Sequence, residues 1–477
     1  MIEEQSIEEI SSNIQIGILK SEDVVKSYLE KIEKYNSDLN AIISLRSESE
    51  IFTDLKKNED QFKENQSGLL CGLPVALKDI TDATGFPTSF GCIEYKDYYP
   101  EKDSIVTERL KKEGAIVIGK TNTAELAYGS HTINRLYGST ANPYDTSKSA
   151  GGSSGGAGAA VSSGMLPFAD GTDMMGSIRN PAAYSNLYGF RPTPGLIPEN
   201  REETLNKELP LLSTLGGLAK TPNDLSLFFD AVSGSDSRDP YSFDLSDTFR
   251  NVSMNDDELK KIKIGWLSDL NRGYQFENGI LEMCEKSLNI LRSNPININI
   301  EEVRSELHVE DLWNIWKPIR SKISYDDIKS MQLLDLDNLC HSAHWEYEEG
   351  SKVNNDLIEL SIRNKKKIQQ VIDTMFENFD FLTLPSAQVF PFDIKKKFPD
   401  MINSYQLDTY HRWMEVSIIA SLFELPVLSV PLGLNEFGLP MGMQIIGKKG
   451  SDLDVMSFGK KYESIFNYSK IKPKNFS

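Results

Sequence analysis

Three residues of this chain, taken in order, have the chemistry of a proton relay: Lys78 in LLCGLPVALKDI, Ser153 in GGSSGG and Ser177 in MGSIRNP. A serine hydroxyl is a poor nucleophile until a base removes its proton. A lysine is such a base only when neutral, and burial lowers its pKa toward that state. If Lys78 points into the same pocket as Ser153, the amine can take the proton of Ser153, which can take that of Ser177. The outcome is an activated serine without a histidine, which suits a chain whose 5 His residues lie in no triad context. The alternative for Lys78 is structural: a strand-end lysine whose head reaches solvent, or pairs with Asp79 or another carboxylate.

The elements around these residues alternate between strand and helix. Residues 73–80 are apolar and strand-like except for Lys78 and Asp79; 104–112 read as a helix and 115–122 as strand and turn, a crossover of the kind that links strands of a parallel or mixed sheet. Residues 149–198 are dense in Gly, Ala and Ser, which lets backbone approach backbone or a ligand closely. Upstream, 6–34 read as two amphipathic helices, the second with Ser21 as N-cap, followed by a short strand at 40–45 and a polar helix at 48–63. Downstream, Thr221 starts a helix; 261–267, 279–292 and 296–303 read as strand, helix and strand; 308–379 are mostly helical. Strands return at 379–385, 426–431 and 441–446, with a last helix at 453–466 and a frayed tail at 470–477. The whole reads as one large α/β domain.

Composition narrows the function. A net charge of −19 disfavours direct binding to phosphate backbones, which rewards clustered Lys and Arg. Cys71, Cys92, Cys284 and Cys340 form no CxxC pair, as expected of reduced thiols in the cytoplasm. The chain shows no basic and apolar leader at its start and no apolar run of about 20 residues, so neither export nor a membrane span is expected. Cys340, His341 and His344 lack the further ligands of a tetrahedral metal site, and no metal or cofactor is expected. His131, in turn-prone sequence, reads as structural. GGSSGGAG has no GK[ST] for a Walker loop and follows a poor strand, so nucleotide binding there is a weak alternative.

The pattern GGSSGG, then GTDMMGSIRNPA, then GFRPT, downstream of GLPVALKD, resembles the amidase signature family of serine hydrolases. GKTNTAELAYG (119–129), NPYD (142–145), FLTLPS (381–386), ELPVLSVP (424–431) and GLPMGMQIIG (438–447) resemble family segments as well. The resemblance spans roughly 5–465 and is weakest at 235–378. It implies an α/β fold with a central mixed, mostly parallel sheet covered on both sides by helices. Within this single domain it distinguishes N-terminal helices (1–65), the signature core (66–200), a variable substrate-side region (235–378) and a C-terminal part of the core (379–466).

The same resemblance implies a Ser-cisSer-Lys triad: Ser177 as nucleophile, Ser153 as bridging serine after a cis peptide from Gly152, and Lys78 as base. It places an oxyanion hole at the backbone N–H groups of Met174, Met175, Gly176 and Ser177, with Asp173, Arg179 and Ser154 supporting the loops. Many members carry Gly-Gly-Ser where this chain has Met175-Gly176-Ser177, so the Met175 side chain is expected to line or narrow the acyl pocket. Trp313, Trp316, Trp345 and Trp413 could contact an apolar acyl group, although core packing is the more ordinary role for each. The implied reaction is hydrolysis of a carboxylic acid amide through an acyl-enzyme on Ser177. Alternatives are the glutamine-hydrolysing component of a tRNA-dependent amidotransferase (its A chain), which works with partner proteins, and an inert binding protein of the same fold; intact Lys78, Ser153 and Ser177 argue against the last. The expected partner is a small-molecule amide, with a homodimer left open and neither nucleic acid nor membrane expected.

Overall fold

Apolar runs of the sequence become strands, and most assemble into one sheet. The computed structural model describes residues 5–64, 68–201, 208–293, 295–331, 333 and 336–476. Its eight-stranded sheet runs in the order Asn299–Glu302, Lys263–Trp266, Phe381–Pro385, Pro440–Gly447, Val427–Leu434, Tyr188–Arg191, Thr214–Ala219, Phe168–Asp173. Lys263–Trp266 is parallel to both of its neighbours. All the other pairings of this sheet are antiparallel. The sheet is therefore mixed, as expected, but not mostly parallel. Val427–Leu434 and Pro440–Gly447, for example, form a hairpin across the short turn at 435–439, where a parallel pair would need a long crossover.

A smaller sheet carries Lys78. Pro74–Lys78 pairs in parallel with Ile116–Thr121, and helix Ile105–Lys112 makes the crossover that the sequence suggested. Ile42–Ile43 adds an antiparallel edge. The two sheets meet where the Lys78 N–H donates to Asp170 Oδ1 at 2.8 Å. Helices cover both faces of the large sheet, as the side-chain alternation of Val427–Leu434 makes visible. Ser429 Oγ donates to Arg179 O of helix Arg179–Tyr184, whereas its neighbour Leu428 packs on Gly459 of helix Asp452–Phe466.

The N-terminal helices are Ile7–Gln15 and Ser21–Leu39, and the first begins with a capping box between Ser6 and Glu9. Ser21 is the first helical residue and Lys20 is the cap, so the expected capping role of Ser21 is off by one position; Ser21 is buried instead. Thr221 does cap its helix, accepting from the Asp224 N–H, with Pro222 at the first helical position. The 308–379 region forms helices Val309–Ser330, His341–Ser351 and Asn355–Asn378. The tail is not frayed through residue 476: Phe476 is buried edge-on against Tyr35, with ring centroids 5.5 Å apart. All four cysteines are unpaired. No helix among the described residues is long and apolar enough to cross a membrane. The first four residues and the expected 65/66 boundary lie outside the described residues.

Candidate active site

Lys78 closes its strand with its side chain fully buried. Its Nζ lies 2.8 Å from Ser153 Oγ and 2.8 Å from Thr172 Oγ1, so the head group meets two hydroxyls. It neither reaches solvent nor pairs with Asp79, whose carboxylate accepts from the N–H groups of Ser89 and Gly91 and from the Ser89 hydroxyl. Burial pushes the Lys78 ammonium down to about 7, against the upward pull of the Asp170 and Asp173 carboxylates. Near neutral pH this amine therefore exists substantially as a base. A second buried lysine, Lys120, differs in its partners: it donates to Thr81 O and, at 3.0 Å, to Thr88 Oγ1.

Ser153 follows a cis Gly152–Ser153 peptide bond and is fully buried. Its carbonyl accepts from the Ala124 N–H at 3.3 Å and from Thr132 Oγ1 at 3.1 Å, which fixes the loop from two sides. Gly152 lies so close to residues 130 and 131 that a Cβ there would fall 2.8 Å from backbone atoms of His131. The Ser154 N–H donates to Ser177 O at 3.2 Å and ties the two serine loops together. Ser154 Oγ is buried with no hydrogen-bond partner, so the support comes from its backbone. His131 is structural: it lies 2.7 Å from Ser149 Oγ and 3.0 Å from Ile394 O, and burial lowers its pKa to about 4.

Ser177 sits on the turn between strand Phe168–Asp173 and helix Arg179–Tyr184. Asp173 is the hub of that turn. Its Oδ1 accepts from the Gly176 N–H (2.8 Å) and Arg179 Nη2 (2.7 Å); its Oδ2 accepts from the N–H groups of Ile178 (3.1 Å) and Arg179 (3.3 Å) and from Arg179 Nε (3.0 Å). Burial would raise its pKa, but the Arg179 and Arg191 guanidiniums hold it well below the usual carboxylate range. Arg179 continues to Ser417 O, Gln444 Oε1 and Ser421 Oγ, anchoring the turn to the far side of the core. Gly176 takes φ +88°, which a side chain would oppose, and its N–H is committed to Asp173. Of the four amides expected to stabilise an oxyanion, Gly176 is thus already engaged, which leaves those of Met174, Met175 and Ser177.

A cavity of about 620 Å³ opens in front of this turn, lined by Ser153, Thr172, Met174, Met175 and Ser177 on one side and by Tyr128, Arg320 and Met414 on another. Lys78 lies behind Ser153 and Thr172. Met175 does line the cavity, as its departure from Gly suggested. The tryptophans do not: Trp313, Trp316 and Trp413 are buried elsewhere in the core, and Trp345 packs against Tyr410 and His411. His341 stacks on Phe398 and His344 lies near Glu348; among the described residues no cluster of three metal-ligating side chains occurs. Sequence reasoning missed Thr172 and Arg320. Thr172 had a signal, its position between Asp170 and Asp173 on the strand facing Lys78; Arg320 had none.

An α/β domain with a buried lysine under two cavity-lining serines has the architecture of a hydrolase. The family model described as Amidase matches residues 23–456, and the chain belongs to that family, the amidase signature enzymes. The chain is 30% identical to the A chain of the glutamyl-tRNA(Gln) amidotransferase of Saccharolobus solfataricus, covering 93% of each. It is 27% identical to an acylamidase of Rhodococcus erythropolis, covering 98% of this chain and 97% of that one. A bacterial aryl acylamidase of the same family superposes with a TM-score of 0.89 at 25% identity, over 98% of this chain and 97% of that one. The chain is an amide-hydrolysing enzyme.

Proposed function

We propose that Ser177 is the nucleophile of an amidase that works through an acyl-enzyme, with Ser153 and Lys78 as its relay. The observation that carries this reading is the 2.8 Å contact of a fully buried Lys78 with Ser153, at the wall of the cavity that holds Ser177. Neutral Lys78 takes the Ser153 proton as Ser153 takes that of Ser177. The Ser177 oxygen bonds to the amide carbon, and the carbonyl π pair moves to oxygen. The N–H groups of Met174, Met175 and Ser177 are the donors for that oxyanion; one such preorganised donor is worth about 3–4 kcal/mol. Collapse breaks the C–N bond, and the relay returns the proton to the departing nitrogen. Water then repeats the sequence on the ester, releasing the acid.

Two measurements test this. Adding hydroxylamine during turnover is expected to divert the acyl group to a hydroxamate at the expense of free acid; acid release unaffected by hydroxylamine, with no hydroxamate, contradicts a common acyl-enzyme. The acylation rate is expected to rise with pH through an apparent pKa of about 7, because protonated Lys78 cannot accept a proton. A rate flat from pH 5.5 to 9 sinks the lysine base.

The similarity to the glutamyl-tRNA(Gln) amidotransferase chain supports a second reading, ammonia release from glutamine for a partner protein. Turnover of simple amides by the isolated chain, with no stimulation by charged tRNA and amidotransferase partners, favours the stand-alone amidase.

A further inference from the structure

Among the described residues, the charged side chains on the cavity wall are Arg320, Glu199 and Asp327. Arg320, from helix Val309–Ser330, is the arginine among them and is 3% exposed. Its charge is engaged within the protein. Its Nε donates to Glu346 Oε1 at 2.7 Å, its Nη2 to Tyr410 Oη at 3.0 Å, and its Nη1 lies 3.2 Å from Met174 Sδ. Tyr410 Oη also donates to Glu346 Oε1 at 2.6 Å, closing a ring of contacts. Glu346 is fully buried on helix His341–Ser351, behind the wall, and its Oε2 has no hydrogen-bond partner. Fully buried carboxylates ordinarily find partners for both oxygens. Among the described residues, Arg320 is the cation that Glu346 pairs with, and the Tyr410 hydroxyl adds a neutral donor.

We infer that Glu346, acting through Arg320, sets the acyl specificity of this site: it cancels the cation on the wall, so the cavity accepts uncharged acyl groups and rejects those bearing a carboxylate. Cavity polarity follows from the remaining charges. Glu199 is already paired with Arg201, whereas Asp327, raised to about 6 by burial, is mostly ionised above neutral pH; among the described lining residues a carboxylate therefore meets the Asp327 anion and no unpaired cation, and a buried unpaired charge is costly. The apolar remainder of the wall, including Met174, Met175 and Met414, suits an alkyl or aryl acyl chain. Glu346 is a positioning residue and touches no substrate; Arg320 is the group whose charge the substrate senses.

This inference rests on acylation of Ser177 in this cavity, and the test separates the two. Ammonia release is followed for three amides of similar length: pentanamide, 4-carbamoylbutanoate and 4-aminobutanamide. Wild type is expected to prefer pentanamide over the carboxylate. Glu346→Gln uncovers Arg320 and is expected to raise kcat/KM for 4-carbamoylbutanoate relative to pentanamide by about 10-fold or more, mainly through KM. Arg320→Met uncovers Glu346 and is expected to raise the relative kcat/KM for 4-aminobutanamide instead. Glu346→Asp keeps the wild-type order, and so does the uncharged double variant R320M/E346Q, which also covers the case in which E346Q alone does not fold. Opposite movements in the two single variants support the inference, because a merely structural role would lower all rates together. Equal ratios in every folded variant, or a wild type that takes the carboxylate as well as pentanamide, overturn it while leaving Ser177 acylation intact. Pentanamide turnover that survives Ser177→Ala instead overturns the reading of the site.

Discussion

Substituting Ser177 by alanine is expected to abolish acylation, and substituting Lys78 by methionine to lower it by about three to four orders of magnitude at pH 8. The two losses have different causes, and stability distinguishes them. Ser177→Ala removes the oxygen that bonds to the substrate and leaves every buried charge in place, so its stability should follow that of wild type with pH. Lys78→Met removes a lysine whose pKa in the folded chain is about 7, against 10.5 when unfolded. Between those values the unfolded chain binds the proton and the folded one does not, so wild-type stability rises with pH across this window. Below pH 7 both states are protonated and the full cost of the buried ammonium is present. Lys78→Met escapes that cost. Relative to wild type it should therefore gain about 2–3 kcal/mol more at pH 6 than at pH 9, read from denaturant melts at both pH values. A catalytically dead Lys78→Met whose stability difference from wild type does not change with pH would refute a depressed lysine pKa while sparing the nucleophile.

How much of this was legible beforehand varied with the kind of signal each residue leaves. Lys78 announced itself because a charged residue interrupting an apolar strand demands a partner, and the dense glycine and serine of 149–198 marked the place where one lay. Thr172 was easier to pass over despite its place between Asp170 and Asp173, because a threonine there is ordinary; its value comes from the approach of the two sheets, which carries it to within 2.8 Å of Lys78, 94 residues away. Arg320 and Glu346 were read only as part of a helical region, since each lies on its own helix and their contact depends on how the two pack. Strand existence was visible where the runs are apolar, but Phe168–Asp173, Tyr188–Arg191 and Thr214–Ala219, interrupted by Gly, Asp or Arg, were not read as strands. Strand order was not visible, because pairs such as Phe381–Pro385 with Pro440–Gly447 are chosen by tertiary packing. That is why the antiparallel middle of the sheet ran against the mostly parallel arrangement taken from the resemblance, while the local strand–helix–strand reading at 74–121 held. Burial of Phe476 was hidden for a related reason: a lone aromatic in a lysine-bearing tail gives no periodicity to read.

Asp173→Asn is expected to damage stability and rate together. The carboxylate lies between two fully buried guanidiniums: Arg179, in direct contact, and Arg191, whose Nε is 3.8 Å from Oδ1. Breaking one partner out of a buried charge cluster costs about 3–5 kcal/mol, because the remaining charge is left uncompensated. Asparagine also presents an NH₂ to donors that need an acceptor: the N–H of Gly176 on one side, those of Ile178 and Arg179 on the other. Whichever way the amide turns, part of the Ser177 turn loses its anchor. The neighbouring amides then lose their aim, and kcat should fall by about 100-fold or more. The pH dependence has the opposite character to that of Lys78. Since the folded Asp173 pKa is depressed, the stability it confers is complete above the ordinary aspartate range near pH 4 and is lost only as pH falls into strong acid. The deficit of Asp173→Asn should accordingly be constant from pH 5 to 8. Urea melts across that range would show a uniform drop if Asp173 is the charge hub of the turn; a drop that vanishes anywhere within it would mean that the carboxylate is not held ionised by its arginines.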